Sequence, residues 1–388
     1  MQEASHHGQV VREYREHKVG ITQEELARRI GKSRRTVISL EQTARIHDLK
    51  LRRTLAWALN IPPELLGLTA LVLPETAILT PVVEAVNSEG KRLSRVVLET
   101  FHDNLRMRLD LYYLGSSLAA DRGLNQHIAE LKRLAQKSNS RDRITLLTLL
   151  SHNYQIKGMI ARDQLDYKVA EQCFHEASLL AQEAECVELN ALTMARQAVM
   201  YVWQKRYAEA YQLYETARDI TRRSASALRA YLSTGHAEVQ GLLGDRRCLQ
   251  SLTEARTFLG RVDAQDDPLL LQYSTRSSEQ AINDGWSQCH TLLGEPEIAI
   301  ANYDKLESTL DVSMTRMRAR LYIQYAEALF VNKDLSCCFY IAEGVKLARV
   351  VGSQYNIRRG KDLASRLHAR FPHDARVKDL LQVLNGKP

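Results

Sequence analysis

The chain has 388 residues, 45% hydrophobic and 26% charged, with a formal net charge of +7. It reads as a soluble globular chain with room for more than one domain. It offers no membrane span, because its most apolar stretch, from Leu65 to Val86, is broken by Pro74, Glu75 and Pro81. The six cysteines, Cys173, Cys186, Cys248, Cys289, Cys337 and Cys338, show no two-residue metal spacing and suit reduced, buried thiols better than a disulfide framework. Between positions 8 and 67, twelve Lys and Arg stand against seven Asp and Glu, a surplus of five. A basic end on a nearly neutral body points to a polyanion contact there.

In chain order, residues 1–7 read as a disordered tail, in which His6 and His7 make no metal site. Val10 to His17 supplies a first helix. Thr22 caps a second, with Glu25 reaching back to the cap and Leu26, Ala27 and Ile30 on one face. Gly31 stops that helix and Ser33 caps a third, which turns Val37, Leu40 and Glu41 inward and leaves Arg34, Arg35, Ile38 and Ser39 on the opposite side. Two short helices about a glycine turn make a helix-turn-helix. An arginine at the start of such a helix can offer its planar fork to guanine O6 and N7, and Ile38 can cover a thymine methyl. Asp48 caps a fourth helix that runs to Leu59, preceded by Arg45 within reach of a phosphate. Pro62, Pro63 and residues 64–68 close a domain over 8–68. Thr69 to Pro81 holds two prolines and no glycine, the composition of a partly stiff linker.

The stretch TQEELARRIGKSRRTVISLE, with its small Ala27, its glycine turn and its closing Glu41, resembles the DNA-binding domain of the phage-repressor and xenobiotic-response-element group of regulators. The resemblance implies a five-helix domain in which Gln23 holds a phosphate and Ser33, Arg34, Arg35 and Ser39 face base edges.

From Val82 onward the pattern is helix after helix: a helical start over 82–139, then a repeat domain over 140–388 with a C-terminal capping helix. Ala170 to Ala177, Ala210 to Ala217, Cys248 to Ala255, Ala299 to Leu306 and Cys337 to Gly344 each set two small or apolar residues seven apart. Phe174, Tyr214, Leu252, Tyr303 and Ile341 lie four after the first. Helical pairs of that kind bury their faces only by stacking on neighbours. The segments, with Gly158 at a small-residue position and Gly244 and Gly294 in turns, resemble tetratricopeptide repeats. The fold class expected is therefore all-α, a five-helix repressor-type helix-turn-helix domain followed by a tetratricopeptide-like α-solenoid.

No constellation for catalysis is present. Gly31, Lys32 and Ser33 mimic the end of a phosphate-binding loop, but Leu26 stands where that motif needs glycine. Histidines are dispersed singly, and no zinc-protease motif or nucleophile elbow occurs. The expectation is no enzyme, no cofactor and no metal.

A repressor-type head joined to such repeats resembles the peptide-responsive, quorum-sensing regulators of Gram-positive bacteria. That resemblance implies a cytoplasmic homodimer on a palindromic operator of double-stranded DNA, with a short linear peptide held by the repeats. Amide and aromatic side chains on first helices suit an extended peptide, and Gln155, Asn190, Gln197, Asn283, Gln288 and Tyr322 are the candidates here. Repeats that dock a protein partner instead, on a DNA-bound scaffold, remain the alternative.

Overall fold

The computed structural model describes residues 6–44, 46, 49–59, 61, 63–66, 93, 95–262, 278–309 and 314–386. Every regular element among them is helical, as the sequence predicts. The chain divides into two units, Met1–Asn87 and Ser88–Pro388, a head and a body.

In the head, α1 (His7–Glu13) starts three residues earlier than the apolar pattern suggests, because His6 caps it by accepting from the Gln9 amide at 3.3 Å. His7 is buried and accepts a hydrogen bond from the Ile46 amide at 3.1 Å. A π-helical turn, Tyr14–Val19, follows and ends at Gly20, whose φ of 69° needs a residue without Cβ. Then come α2 (Gln23–Arg29), α3 (Arg34–Gln42), α4 (Leu49–Ala58) and a 3₁₀ turn, Pro63–Leu66, where a fifth helix was expected. The core beneath them is Val11, Leu26, Ile30, Val37, Leu40, Leu55, Leu59 and Leu66, each large side chain contributing about 1.5–3 kcal/mol by leaving water. Thr22 caps α2 from its Oγ1, which accepts from the Glu25 amide at 3.1 Å. The Glu25 carboxylate does not return the bond but takes Arg29 at 3.0 Å, one turn on. Arg45, the Asp48 cap and the linker lie outside the described residues.

The body opens with α5 (Arg95–Leu114), α6 (Ser117–Asp121) and α7 (Leu124–Lys137). Five helical pairs follow: α8 (Ser140–Asp163) with α9 (Tyr167–Glu183), α10 (Val187–Trp203) with α11 (Tyr207–Ile220), α12 (Ser226–Leu242) with α13 (Cys248–Leu259), α14 (Glu279–Leu292) with α15 (Pro296–Thr309), and α16 (Thr315–Val331) with α17 (Cys337–Val351). α18 (Gln354–Arg370) and α19 (Ala375–Leu384) complete it.

The seven-residue spacing read from the sequence is the buried face of every second helix. Ala170, Phe174, Ala177, Ala210, Tyr214, Ala217, Cys248, Leu252, Ala255, Ala299 and Tyr303 are all fully buried. Close approach of paired helices explains Gly158, since a Cβ there would stand 2.8 Å from the Phe174 ring; Gly235 meets the Tyr214 ring in the same way.

The two ends of this repeat-like body meet. Arg316, at the start of α16, donates to the Tyr112 carbonyl at 2.7 Å, to Ser117 Oγ at 2.8 Å and to the Val351 carbonyl at 3.1 Å, and it pairs with Asp163. Asp163, at the end of α8, also accepts from Ser353 Oγ at 2.7 Å. Gln164 Nε2 donates to the Gly352 carbonyl at 2.7 Å, and Trp203 stacks on Tyr355 with ring centroids 3.7 Å apart and planes within 3°. These contacts bring the first and last helices of the body together around a cavity that opens to solvent.

Candidate nucleic-acid face and ligand cavity

In the head, α3 is held by its N-terminal cap and by an ion pair beneath it. Ser33 Oγ accepts from the Thr36 amide at 3.2 Å. Glu41, on the inward face, receives Arg15 Nε at 2.5 Å and Nη2 at 3.0 Å, and Arg15 Nη1 donates to the Ile21 carbonyl at 3.1 Å. Both partners are more than 90% buried, so the Arg15 guanidinium is held above its ordinary pKa, chiefly by its hydrogen bond to Glu41 against the cost of burial. The π-helical turn is what aims Arg15 inward: it accommodates one more residue than an α-turn in the segment before α2.

Gln23 Nε2 donates to Glu41 Oε2 at 2.9 Å, so the amide expected on a phosphate belongs to the same buried network. On the other side of α3, Arg34, Arg35, Ile38 and Ser39 are exposed, and neither arginine has a bonded partner among the described residues. One helix face thus carries two free guanidinium forks beside an apolar side chain, a set of groups suited to base edges in a major groove.

The helix-turn-helix family model matches residues 11–65. The chain carries a repressor-type helix-turn-helix head. That head makes it a DNA-binding transcriptional regulator. Neither the curated proteins nor the solved structures contain a match to the chain. No helix among the described residues is long and apolar enough to cross a membrane.

In the body, the cavity has a volume of about 950 Å³, at the upper end for small-molecule sites. Its walls come from α5 and the first two pairs (Tyr112, Tyr113, Arg162, Asp163, Arg196 and Trp203), from the middle of the body (Tyr231, Glu238 and Gln288) and from α16 and α18 (Arg316, Arg320, Glu327, Tyr355 and Arg359). Burial pushes the Tyr113 and Tyr355 hydroxyls up to about 12, so both are neutral phenols at any physiological pH.

Three arginines from the C-terminal helices, each at least half-buried, have a carboxylate. Arg316 has Asp163, Arg320 has Asp284, and Arg359 donates to Glu327 at 2.7 and 2.5 Å. Burial opposes the charge on Arg359, but Glu327 outweighs it and the guanidinium is held above its ordinary value. Arg162 and Arg196 are different. Arg196 is 2% exposed and Arg162 7%, and no carboxylate pairs with either among the described residues.

Of the amide and aromatic residues expected on the groove, Gln288 lines the cavity. Gln155 is fully buried behind it, its Oε1 accepting from Arg196 Nη1 at 2.5 Å. The others lie elsewhere, engaged locally: Asn190 with Ser178, Gln197 with Tyr201, Asn283 with Arg256, and Tyr322 with Arg318. Sequence reasoning missed the arginines themselves. A signal for Arg196 existed, because it is the single basic residue of α10, VELNALTMARQAVMYVW, a helix apolar on nearly every face. A charge in such a helix needs a reason.

Proposed function

We propose that the chain is a cytoplasmic, dimeric transcriptional regulator whose body binds a short linear peptide and passes its occupancy to the DNA-binding heads. The cavity carries this reading: it lies in the body of a chain that also holds a DNA-reading head, and it is large, arginine-rich and closed by contacts between distant helices. In the head, Arg34, Arg35, Ser33, Ile38 and Ser39 read bases of a palindromic operator, Arg45 holds a phosphate, and Gln23 holds another with the second hydrogen of the amide group whose first goes to Glu41. A single head makes few phosphate contacts, so it binds weakly and loses affinity steeply with salt, and pairing through the body supplies the second half-site.

The linker, residues 69–81, transmits the body's arrangement because its prolines make it partly stiff. A ligand that favours one arrangement changes DNA affinity by its differential affinity for the two, typically 1–3 kcal/mol, and operator DNA changes ligand affinity by the same factor. The test is a mobility-shift titration of the full chain on the DNA upstream of its own coding sequence, with and without short peptides encoded nearby. A peptide-dependent shift in midpoint supports the reading. A midpoint that no peptide moves, combined with capture of a protein partner by the body, favours the scaffold alternative. Sedimentation showing a monomer both on and off DNA removes the dimer.

A further inference from the structure

The cavity's charge is unevenly met. Arg316, Arg320 and Arg359 sit against carboxylates and Arg358 and Arg366 are exposed to water, whereas Arg196 is almost wholly enclosed, with Nη1 on the Gln155 oxygen and no partner for Nε or Nη2 among the described residues. Those two nitrogens form one edge of the guanidinium, with parallel N–H groups spaced to meet the two oxygens of a carboxylate or phosphate. Beside it, Arg162 also has an unpartnered Nε. Its two remaining contacts, to the Arg196 carbonyl and to Tyr112 Oη, are both long at 3.4 Å.

Arg162 is fixed by stacking. Its guanidinium lies 4.4 Å from the Trp203 ring centroid, and because Tyr355 covers one face of that indole, Arg162 takes the other. The stack runs guanidinium, indole, phenol, and it joins the two ends of the body. Burying a cation away from water is costly unless an anion meets it, and the described residues supply that anion to Arg316, Arg320 and Arg359 but not to this pair.

We propose that the cavity binds a small ligand through an oxyanion, a carboxylate or phosphate, drawn to the guanidinium groups of Arg196 and Arg162 in its wall, which turn their enclosed, unpartnered nitrogens to it, with its apolar or aromatic part against Tyr113, Trp203 and Tyr231. This deepens the peptide reading, on which it rests for physiological context: a peptide would present its terminal or a side-chain carboxylate. Ligand binding and closure of the body are then coupled, since Arg162 is both an anion contact and one layer of the stack that ends on Tyr355.

The test uses the full chain and three probes of matched shape: benzoate, phenyl phosphate and neutral benzamide. Calorimetric titration and thermal melting are run on the wild type, Arg196→Gln, Arg162→Gln and, as a control for lost charge far from the cavity, Arg222→Gln. The expected result is that at least one anion binds and raises the melting temperature of the wild type and of Arg222→Gln, that benzamide does not, and that either cavity substitution weakens the anion at least tenfold. A structural arginine and a ligand-holding one differ in the ligand-free melt. With no anion present, Arg196→Gln melts at or above the wild-type temperature, because it removes an unmatched buried charge.

Binding of no anion to the wild type, or equal anion binding by the wild type and Arg196→Gln, overturns the proposal. The two readings fail separately. Arginine-dependent anion binding without any peptide effect on the operator leaves the anion site standing and the peptide reading fallen. A peptide effect that survives Arg196→Gln and Arg162→Gln does the reverse. Peptides with free and amidated C-termini, and phosphopeptides beside them, then distinguish the sources of the oxyanion.

Discussion

Among the described residues, Arg34 and Arg35 in the head, and Arg162 and Arg196 in the body, all lack a carboxylate, but they wait in different solvents. The head's pair projects into water, where an unpaired guanidinium is fully hydrated and free to exchange that hydration for a phosphate or a guanine edge. The body's pair is enclosed, where the same charge unmet is a standing expense to the fold. Exposure therefore suits a site that must sample many DNA sequences quickly and release most of them. Enclosure suits a site that discriminates by whether a ligand can replace water at all.

The contrast breaks most severely where the head has its own buried charge. Replacing Glu41 by Ala takes from Arg15 its buried carboxylate, leaving it the more exposed Glu16 at 2.8 Å and the Ile21 carbonyl, and costs up to about 3–5 kcal/mol. The expected outcome in calorimetry is loss of the head's melting transition and of DNA binding, with the body's transition unmoved. If the head melts as before, the ion pair is not what holds α3.

Acid sharpens the comparison next. Burial holds His127 and His152 down to about 3 and His236 to about 4, with Arg108, Arg196 and Arg218 as respective secondary causes, and at His236 the half-exposed Glu215 carboxylate 2.9 Å from Nε2 works against the shift. Each depressed value lies below the unfolded value of 6.5, so unfolding takes up protons as the pH falls. The stability these groups contribute is complete above about pH 6.5 and drains away between there and pH 3–4. Each contributes a slope of about 1.4 kcal/mol per pH unit in that window. Denaturant melts of the body at pH 7 and pH 5 should separate by several kcal/mol, and Phe at His152 should flatten the slope by about one group's share. Coincident melts at the two pH values would show the imidazoles to be hydrated.

Two smaller effects test the reading face. Arg34→Ala or Arg35→Ala should cost about 1–3 kcal/mol on the preferred operator and relax one base position, with no change in melting, because neither arginine bonds to any described residue of the head. A DNA library ranked alike by the wild type and the double variant would place the reading face elsewhere. Ser33→Ala removes the cap of α3 and should lower head stability by about 1 kcal/mol, visible as a shift in midpoint without a change in sequence preference.

What the sequence made legible divides along range of interaction. The caps at Thr22 and Ser33, the inward set Val37, Leu40 and Glu41, and the seven-residue register of the second helices all depend on neighbours within a few turns, and they read directly. Glu25 misled because two local partners competed, and Arg29 one turn on outbid the cap amide. The cavity did not read, because its walls are residues such as Trp203 and Tyr355, or Asp163 and Ser353, that no periodicity connects. Choosing groove residues by amide chemistry found Gln288 on the lining and Gln155 just behind it, but passed over the arginines between them.

The end-to-end closure of the body also sets a schedule for synthesis. An open row of helical pairs can fold as it leaves the ribosome, each pair adding to the last, but here the first pairs are completed only by Arg316, Ser353 and Tyr355. At ordinary elongation rates, about half a minute separates emergence of the head from emergence of those residues. A newly made chain thus has its whole helix-turn-helix head in hand before the last wall of the cavity has been synthesised.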